Sequence, residues 1–403
     1  MARLVSRSAL LTLLVFVVLA VSGAAAGVAA LIHDDGTPQA TGVDQGKVLA
    51  VKRTDSSFDR FTYKSTTGVG QWLDQNLFRA VVYSPYFDDK TAWYTRVWDY
   101  RNLYGIRVGS KLAKQHPDWI LHDRSGRRLF LAWGCDNGSC PQYAGDVSNA
   151  AFRRHWIAEA AAELRHGYRG LWIDDVNLDL RISHGSGHAA NAVAASGASM
   201  TAERWRSLVA AFTVQIRNAF PKAEIVHNAI WYAGGSARDQ DPAVRAEIKA
   251  ADWVNLERGV NDSGLTGGDG EWSLRAFLAH VDVLHQLGTA AIMEGGDDAP
   301  AGREYNLAAY LLIASGTDAV GAGSAAPGSD WAPLHYDLGA AHGARSEWSG
   351  VIRRDFDRGL VLVNPPGGPA QTLSLGGTYL NTAGRPVTSV RLAAGSGAVL
   401  RAR

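Results

Sequence analysis

From Val48 to about Gly323 the chain alternates between short apolar runs and longer stretches whose apolar residues recur every three or four positions. The short runs FRAVVYSPYF (78–87), QYAGDV (142–147), GLWID (170–174), AEIVHNA (223–229), DWVNLE (252–257), TAAIME (289–294) and DAVGAG (318–323) predict strands. An earlier strand is expected near VLAVKR or RFTYK, for a total near eight. Segments 151–167, 201–220 and 273–288 carry the helical period. Strand followed by helix, repeated about eight times, is the pattern of a parallel sheet. The count suits a closed (β/α)8 TIM barrel better than an open doubly wound sheet, and no GxGxxG turn follows the first strand to suggest a dinucleotide fold.

Both ends depart from this pattern. After about Arg345 the chain shows short alternating runs broken by Gly and Pro, as in GVIRRDFDRGLVLVNPPGG and VTSVRLAAGSGAVLRAR, which predict a small antiparallel β domain over 346–403. At the start, Arg3 and Arg7 precede an uncharged run from Ala9 to Ile32, and the next Lys or Arg is Lys47. This reads as an export signal, either cleaved near the small residues Ser22 to Ala26 or retained as a single-span membrane anchor. Either outcome puts the following domain outside the cytoplasm, secreted or held on the outer face of the membrane. We therefore divide the chain into a signal peptide or anchor plus linker (1–45), a catalytic barrel (46–345) and a C-terminal β domain (346–403).

Composition narrows the chemistry. A formal net charge of +1, with no long basic block, gives no electrostatic footprint for nucleic acid. The two cysteines, Cys135 and Cys140 in CDNGSC, fit export and are expected to close a disulfide across a short turn. They cannot supply the four ligands of a structural zinc site. The 13 tryptophans and 13 tyrosines provide flat amphipathic rings for cores and for stacking on sugars. Trp156 and Trp205 lie within helical spacing and are expected in the core, whereas Trp172, Trp231, Trp253 and Trp272 lie near strand-end acids and are expected beside them in a sugar cleft.

In a barrel, the C-terminal ends of the strands open into the mouth where chemistry occurs, so carboxylates just after apolar runs are the candidate catalysts. They are Asp174 and Asp175 after GLWI, Glu257 after DWVNL, Glu294 after TAAIM, Asp88 and Asp89 after VVYSPYF, and Asp146 after QYAG. On this reading they lie on strands four, six, seven, two and three. Two acids flanking a glycosidic bond can cleave it, one protonating the leaving oxygen while the other attacks the anomeric carbon or activates water. The protonating acid needs burial or a like-charged neighbour to keep its proton. Asp174 is the candidate nucleophile and Glu257 the candidate acid, with Asp175 an open alternative to Asp174. Asp175, Glu294, Asp88, His227, Asn228, Trp231, Arg258 and Trp272 are candidates for holding a poly- or oligosaccharide. This chemistry needs no metal or cofactor.

GLWIDDV, DWVNLERG, HPDWILHDRSGRRL, YAGDVSNAAFRRHW and RRDFDRGLVLVNPPGG together resemble hypothetical glycosyl hydrolase family 15. The resemblance covers nearly the whole exported part of the chain. It implies a barrel with a C-terminal β domain, a catalytic Asp on the fourth strand, here Asp174, and a second acid after a later strand, here Glu257. It does not supply the sugar. Two other readings remain at this stage: a non-catalytic carbohydrate-binding envelope protein, and a metal-dependent polysaccharide deacetylase, for which His184 and His188 in HGSGH, with the preceding Asp174–Asp175 pair, would be the ligands.

Overall fold

The computed structural model describes residues 44–53, 65–82, 93–135, 139–187, 191–229, 235–295, 299–323, 325, 328 and 330–403. Eight parallel strands close into a barrel: β1 (Ala50–Arg53), β2 (Arg79–Val82), β3 (Val97–Asn102), β4 (Gly170–Asp174), β5 (Glu224–Asn228), β6 (Trp253–Leu256), β7 (Ala290–Met293) and β8 (Ala319–Gly321), with β8 paired back onto β1. Seven of the eight fall within sequence-predicted runs, β1 in VLAVKR. The predicted helices form as Ala150–Leu164, Ala202–Ala219 and Leu274–Gln286.

One strand was expected in the wrong place. Strand three is VWDYRN, and Gln142–Ala144 instead joins a small antiparallel sheet with Gly105–Arg107, Phe130–Leu131 and Ile182–Ser183. Asp146, which follows it, therefore stands at no barrel strand end. Its carboxylate accepts bonds from the backbone and hydroxyl of Ser148 and from the Ala195 amide, tying two loops together. The polar residues of β3 mask its strand character in the sequence because they find partners only in three dimensions: Asp99 faces Arg101, and Tyr100 and Asn102 bond to the Asp174–Asp175 pair.

Side-chain direction alternates along a strand, so one parity of each strand fills the barrel. Here that parity delivers Val51, Val81, Trp98, Trp172, Val226, Ile292 and Ala319 to one buried cluster, with Trp253 packed against it. The Trp98 ring lies 6.0 Å from Trp172 and 5.4 Å from Trp253. Trp172 and Trp253, expected beside the acids in a sugar cleft, are instead barrel filling. Trp156 and Trp205 are core, as their helical spacing implied.

At the end of the barrel opposite the mouth, Glu224 sits on the inward parity of β5 and takes hydrogen bonds from Arg79, Arg169 and the Trp98 indole. Burial alone would raise its carboxyl, but these donors and the Arg79 charge hold it below the usual glutamate range.

The C-terminal chain forms a six-stranded antiparallel sheet: β9 (Ser346–Trp348), β10 (Val351–Phe356), β11 (Gly359–Asn364), β12 (Gln371–Leu380), β13 (Pro386–Leu392) and β14 (Ser396–Ala402). Strand β11 is buried on both faces. Val361 and Val363 join the main core, while Leu360 and Leu362 pack with Leu373, Leu392 and Leu400. The Arg354 guanidinium donates to the carbonyls of Leu311, Leu312 and Ala314, satisfying the C-terminal end of helix Pro300–Ile313. Gly397 lets β14 approach that helix closely, since a Cβ there would meet the Ala308 methyl at 2.7 Å. Residues 42–403 thus form one compact unit. Among the described residues no helix is long and apolar enough to cross a membrane, and the N-terminal apolar run lies outside those residues.

Replacing Glu224 with Gln should destabilise the protein by about 2–3 kcal/mol at pH 7, because the arginines lose their counter-charge at a partly buried site. A group whose folded pKa is depressed contributes stability above its unfolded value. The deficit should therefore be full above pH 4.5, the ordinary glutamate value, and shrink as pH falls toward Glu224's own lower value. Chemical denaturation of both proteins between pH 3 and 8 checks this, and a pH-independent difference would contradict it.

Candidate active site

The parity that packs tryptophans inside the barrel puts the next inward residue of each strand at its mouth. On β4, Trp172 is followed by Asp174; on β5, Val226 by Asn228; on β6, Trp253 by Asn255 and then Glu257; on β7, Ile292 by Glu294; on β3, Trp98 by Tyr100 and Asn102. These residues form a connected polar ring.

The ring centres on Asn228. Its side-chain Nδ2 donates to Asp174 Oδ1 at 2.7 Å and to Glu257 Oε2 at 3.0 Å, while its carbonyl oxygen accepts from Asn255 Nδ2 at 3.0 Å. Asn255 also donates to Glu294 Oε2 at 2.7 Å. Because both carboxylate oxygens bond to one nitrogen, Asp174 Oδ1 and Glu257 Oε2 lie no more than about 5.7 Å apart. Asp174 receives two further donors, the Tyr100 hydroxyl on Oδ2 and the Asp175 amide on Oδ1 at 2.8 Å.

Asp175 occupies a different environment. It turns out of the strand with φ of 57°, a left-handed conformation that Asp and Asn enter more readily than most residues. Its carboxyl is buried, with Oδ2 accepting from Asn102 Nδ2 and, at 3.2 Å, from Trp133 Nε1. Burial first, and the neighbouring Asp174 charge second, push it up to about 7; Glu257 adds to the rise, and the Asn102 and Trp133 bonds oppose it.

An open cleft of ≈ 670 Å³ covers this pair, of a size to hold several sugar rings. Asp174, Asp175, Asn228 and Glu257 form part of its wall, together with Arg258, Arg181, Asp262, Trp133 and Trp272. Both tryptophans are partly exposed, Trp133 at 37% and Trp272 at 44% of the residue.

Of the sequence candidates, Asp174, Asp175, Asn228, Glu257, Arg258 and Trp272 meet in this cleft. Glu294 belongs to the polar ring but borders a smaller neighbouring cavity with Arg303, Asn306 and Trp331. His227 does not reach the mouth: it has the opposite parity on β5, is fully buried, and bonds through Nδ1 to Glu247 at 2.6 Å between barrel and helix. Asp88, Asp89 and Trp231 lie outside the described residues, as does His188. His184 stands 3.8 Å from Asp123, and among the described residues no group of three or more His, Cys, Asp or Glu side chains is placed to hold a metal ion.

Tyr100, Asn102, Asn255, Asn177, Arg181 and Trp133 were missed. Asn255 was within reach of the sequence, since Trp253, Asn255 and Glu257 alternate in DWVNLE. Trp133 lies in the bend just after the Phe130–Leu131 strand of the small antiparallel sheet, which no strand–helix repeat announces. The cysteines are joined as expected, Cys135 to Cys140, with their Cα atoms 4.1 Å apart.

A closed parallel barrel with a carboxylate-rich mouth, flanked by exposed tryptophans, has the architecture of a barrel glycoside hydrolase. The family model described as hypothetical glycosyl hydrolase family 15 matches residues 91–360, and the chain belongs to that family of glycoside hydrolases. No curated protein matches the sequence. Among solved structures, the glycoside hydrolase domain of PelA from Pseudomonas aeruginosa is similar at 15% identity, covering 73% of this chain and 97% of its own, with a TM-score of 0.43. The α-galactosidase TtGalA from Thermus thermophilus is similar at 14% identity, covering 77% and 65% respectively, with a TM-score of 0.45. An α-amylase from Lactobacillus plantarum is similar at 10% identity, covering 89% and 99%, with a TM-score of 0.48.

Asp175 gives a pH signature. A carboxyl raised on folding makes the native state bind more protons, so its contribution to stability falls as pH rises from its unfolded value, 3.8, to about 7. Asp175→Asn, which keeps the backbone conformation accessible, should lack this loss. The melting temperature of the variant relative to the parent should therefore climb between pH 4 and 7 and level off above. A flat difference would show that Asp175 titrates normally.

Proposed function

We propose that this glycoside hydrolase is exported and cleaves an extracellular or cell-wall polysaccharide by a retaining mechanism, with Asp174 as nucleophile and Glu257 as acid and base. The observation that carries the assignment is the single Asn228 amide nitrogen bonded to both carboxylates, which keeps their oxygens within about 5.7 Å. Retaining glycosidases hold their carboxyl groups about 5–5.5 Å apart, whereas inverting ones leave about 6.5–9.5 Å for an intervening water.

In the first step Asp174 attacks the anomeric carbon as Glu257 gives its proton to the glycosidic oxygen, so that bond breaks and a glycosyl ester forms. In the second, Glu257 takes a proton from water, the water oxygen bonds to the anomeric carbon, and the ester breaks to free Asp174. The Tyr100 hydroxyl, the Asn228 amide and the Asp175 N–H orient Asp174 through fixed hydrogen bonds, which limits its motion relative to the sugar. Parity favours Asp174 over Asp175 for the attack, since Asp174 continues the inward face of β4 while Asp175 is turned against Asn102 and Trp133. The basic, apolar N-terminal segment supports export, and the disulfide accords with an oxidising compartment.

The test uses the chain from residue 42 onward and a panel of starch, dextran, galactan, mannan, pectin and purified bacterial wall polysaccharide, with release of reducing ends as readout. Asp174→Asn and Glu257→Gln should each lower kcat by about a thousandfold or more with unchanged circular dichroism. Proton NMR of the first product should show the anomeric configuration of the substrate. Full activity in either variant removes that residue from the mechanism, and an inverted first product removes the retaining assignment.

A further inference from the structure

We propose that Trp133 forms a sugar-stacking subsite beside the nucleophile, and that Asp175 and the Cys135–Cys140 disulfide are the devices that hold its ring in place. The inference rests on the glycosidase reading above and adds to it a specificity-determining residue and a role for the disulfide.

Trp133 is fixed at three points. On its N-terminal side, Phe130–Leu131 is a strand of the small antiparallel sheet, paired to Tyr143 and to Ile182–Ser183, with Leu131 buried. On its C-terminal side, two residues on, Cys135 is bonded to Cys140, just before the partner strand Gln142–Ala144. The intervening Gly134, at φ of 71°, makes the turn against Pro141, a conformation L side chains rarely adopt. The third point is the indole itself, whose N–H donates to Asp175 Oδ2, a carboxyl also held by Asn102.

Asp175 follows Asp174 directly, so the ring edge is referenced to the nucleophile through one residue. The result is a ring clamped at its edge and backbone, on a residue that lines the cleft and keeps more than a third of its surface exposed. An aromatic ring held in this way presents apolar surface to a ligand with little loss of side-chain freedom on binding, which is the arrangement that stacks on the C–H face of a pyranose. The disulfide sits at the root of the loop that reaches Asp175 with an indole, where it constrains the position of the ring as well as the turn.

The experiment measures steady-state kinetics on whichever panel polysaccharide the parent cleaves best. Trp133→Ala should raise KM about tenfold with kcat within about twofold, the signature of binding energy shared by ground and transition states. Trp133→Phe, which keeps a stacking ring but loses the N–H, should fall between. Cys135→Ser with Cys140→Ser should also raise KM, by a factor of about three to ten through lost preorganisation, and should add nothing further in the Trp133→Ala background. Melting temperature and near-ultraviolet circular dichroism accompany each variant, and treatment of the folded parent with dithiothreitol replaces the cysteine variant if that variant does not fold.

An unchanged KM in Trp133→Ala, with hydrolysis intact, overturns the subsite while leaving the glycosidase reading standing. Equal KM increases from the cysteine changes with and without Trp133 overturn the role of the disulfide. Hydrolysis of none of the panel by the parent counts against the parent reading, and the subsite falls with it.

Discussion

A β-strand can turn only every second side chain toward the inside of a closed barrel, and this constraint organises the molecule. On five strands the inward parity first supplies the apolar filling and then, two residues later, a polar group at the mouth. Trp172 and Asp174 are one such pair, Trp253 and Asn255 another. The filling cannot be changed independently of the chemistry, because a shift of one residue on any strand would bury its polar group against the helices. His227 shows the result of the other parity: one residue before Asn228, it is sealed beneath a helix and bonded to Glu247.

The bulky filling also shapes what lies above it. Three tryptophan rings and a layer of branched residues plug the barrel, so the cleft has a rigid floor close beneath Asp174. The amide of Asn228 then works as a ruler: a bond to each carboxylate from one nitrogen fixes their separation more tightly than either strand could alone. Asn255 braces that amide and links it onward to Glu294, making four adjacent strands contribute to a single geometry.

The repetition of strand and helix was legible in the sequence, and so were the acids at the ends of β4, β6 and β7, because an apolar run followed by a carboxylate stands out without knowledge of its neighbours. Strand β3 was not legible. Its residues Asp99, Tyr100, Arg101 and Asn102 look like a loop until Asp174 and Asp175, more than seventy positions later, supply partners for Tyr100 and Asn102. Counting QYAGDV as the third strand preserved the numbering of the later ones, so Asp174 kept its correct place on strand four even though the third strand was misplaced. The tryptophans were misread for a related reason: periodicity places Trp156 and Trp205 on helices, but whether Trp172 and Trp253 face a ligand or a barrel interior depends on closure, which no single strand encodes.

The adjacent aspartates divide their work through backbone direction. Asp174 keeps the extended conformation of β4 and so inherits the inward parity, meeting Tyr100 and Asn228. Asp175 is the first residue beyond it, and an extended backbone there would point its carboxyl outward between barrel and helices. The left-handed turn at φ of 57° instead swings the carboxyl back toward Asn102 and Trp133, where it is buried but hydrogen-bonded. The cost is a buried carboxyl with a second one beside it, and it appears in the upward shift of Asp175 rather than as a broken contact. One change in backbone torsion thus gives two chemically identical neighbours different surroundings: Asp174 stays on the inward face of β4 with Tyr100 and Asn228, and Asp175 sets the wall of the cleft with Asn102 and Trp133.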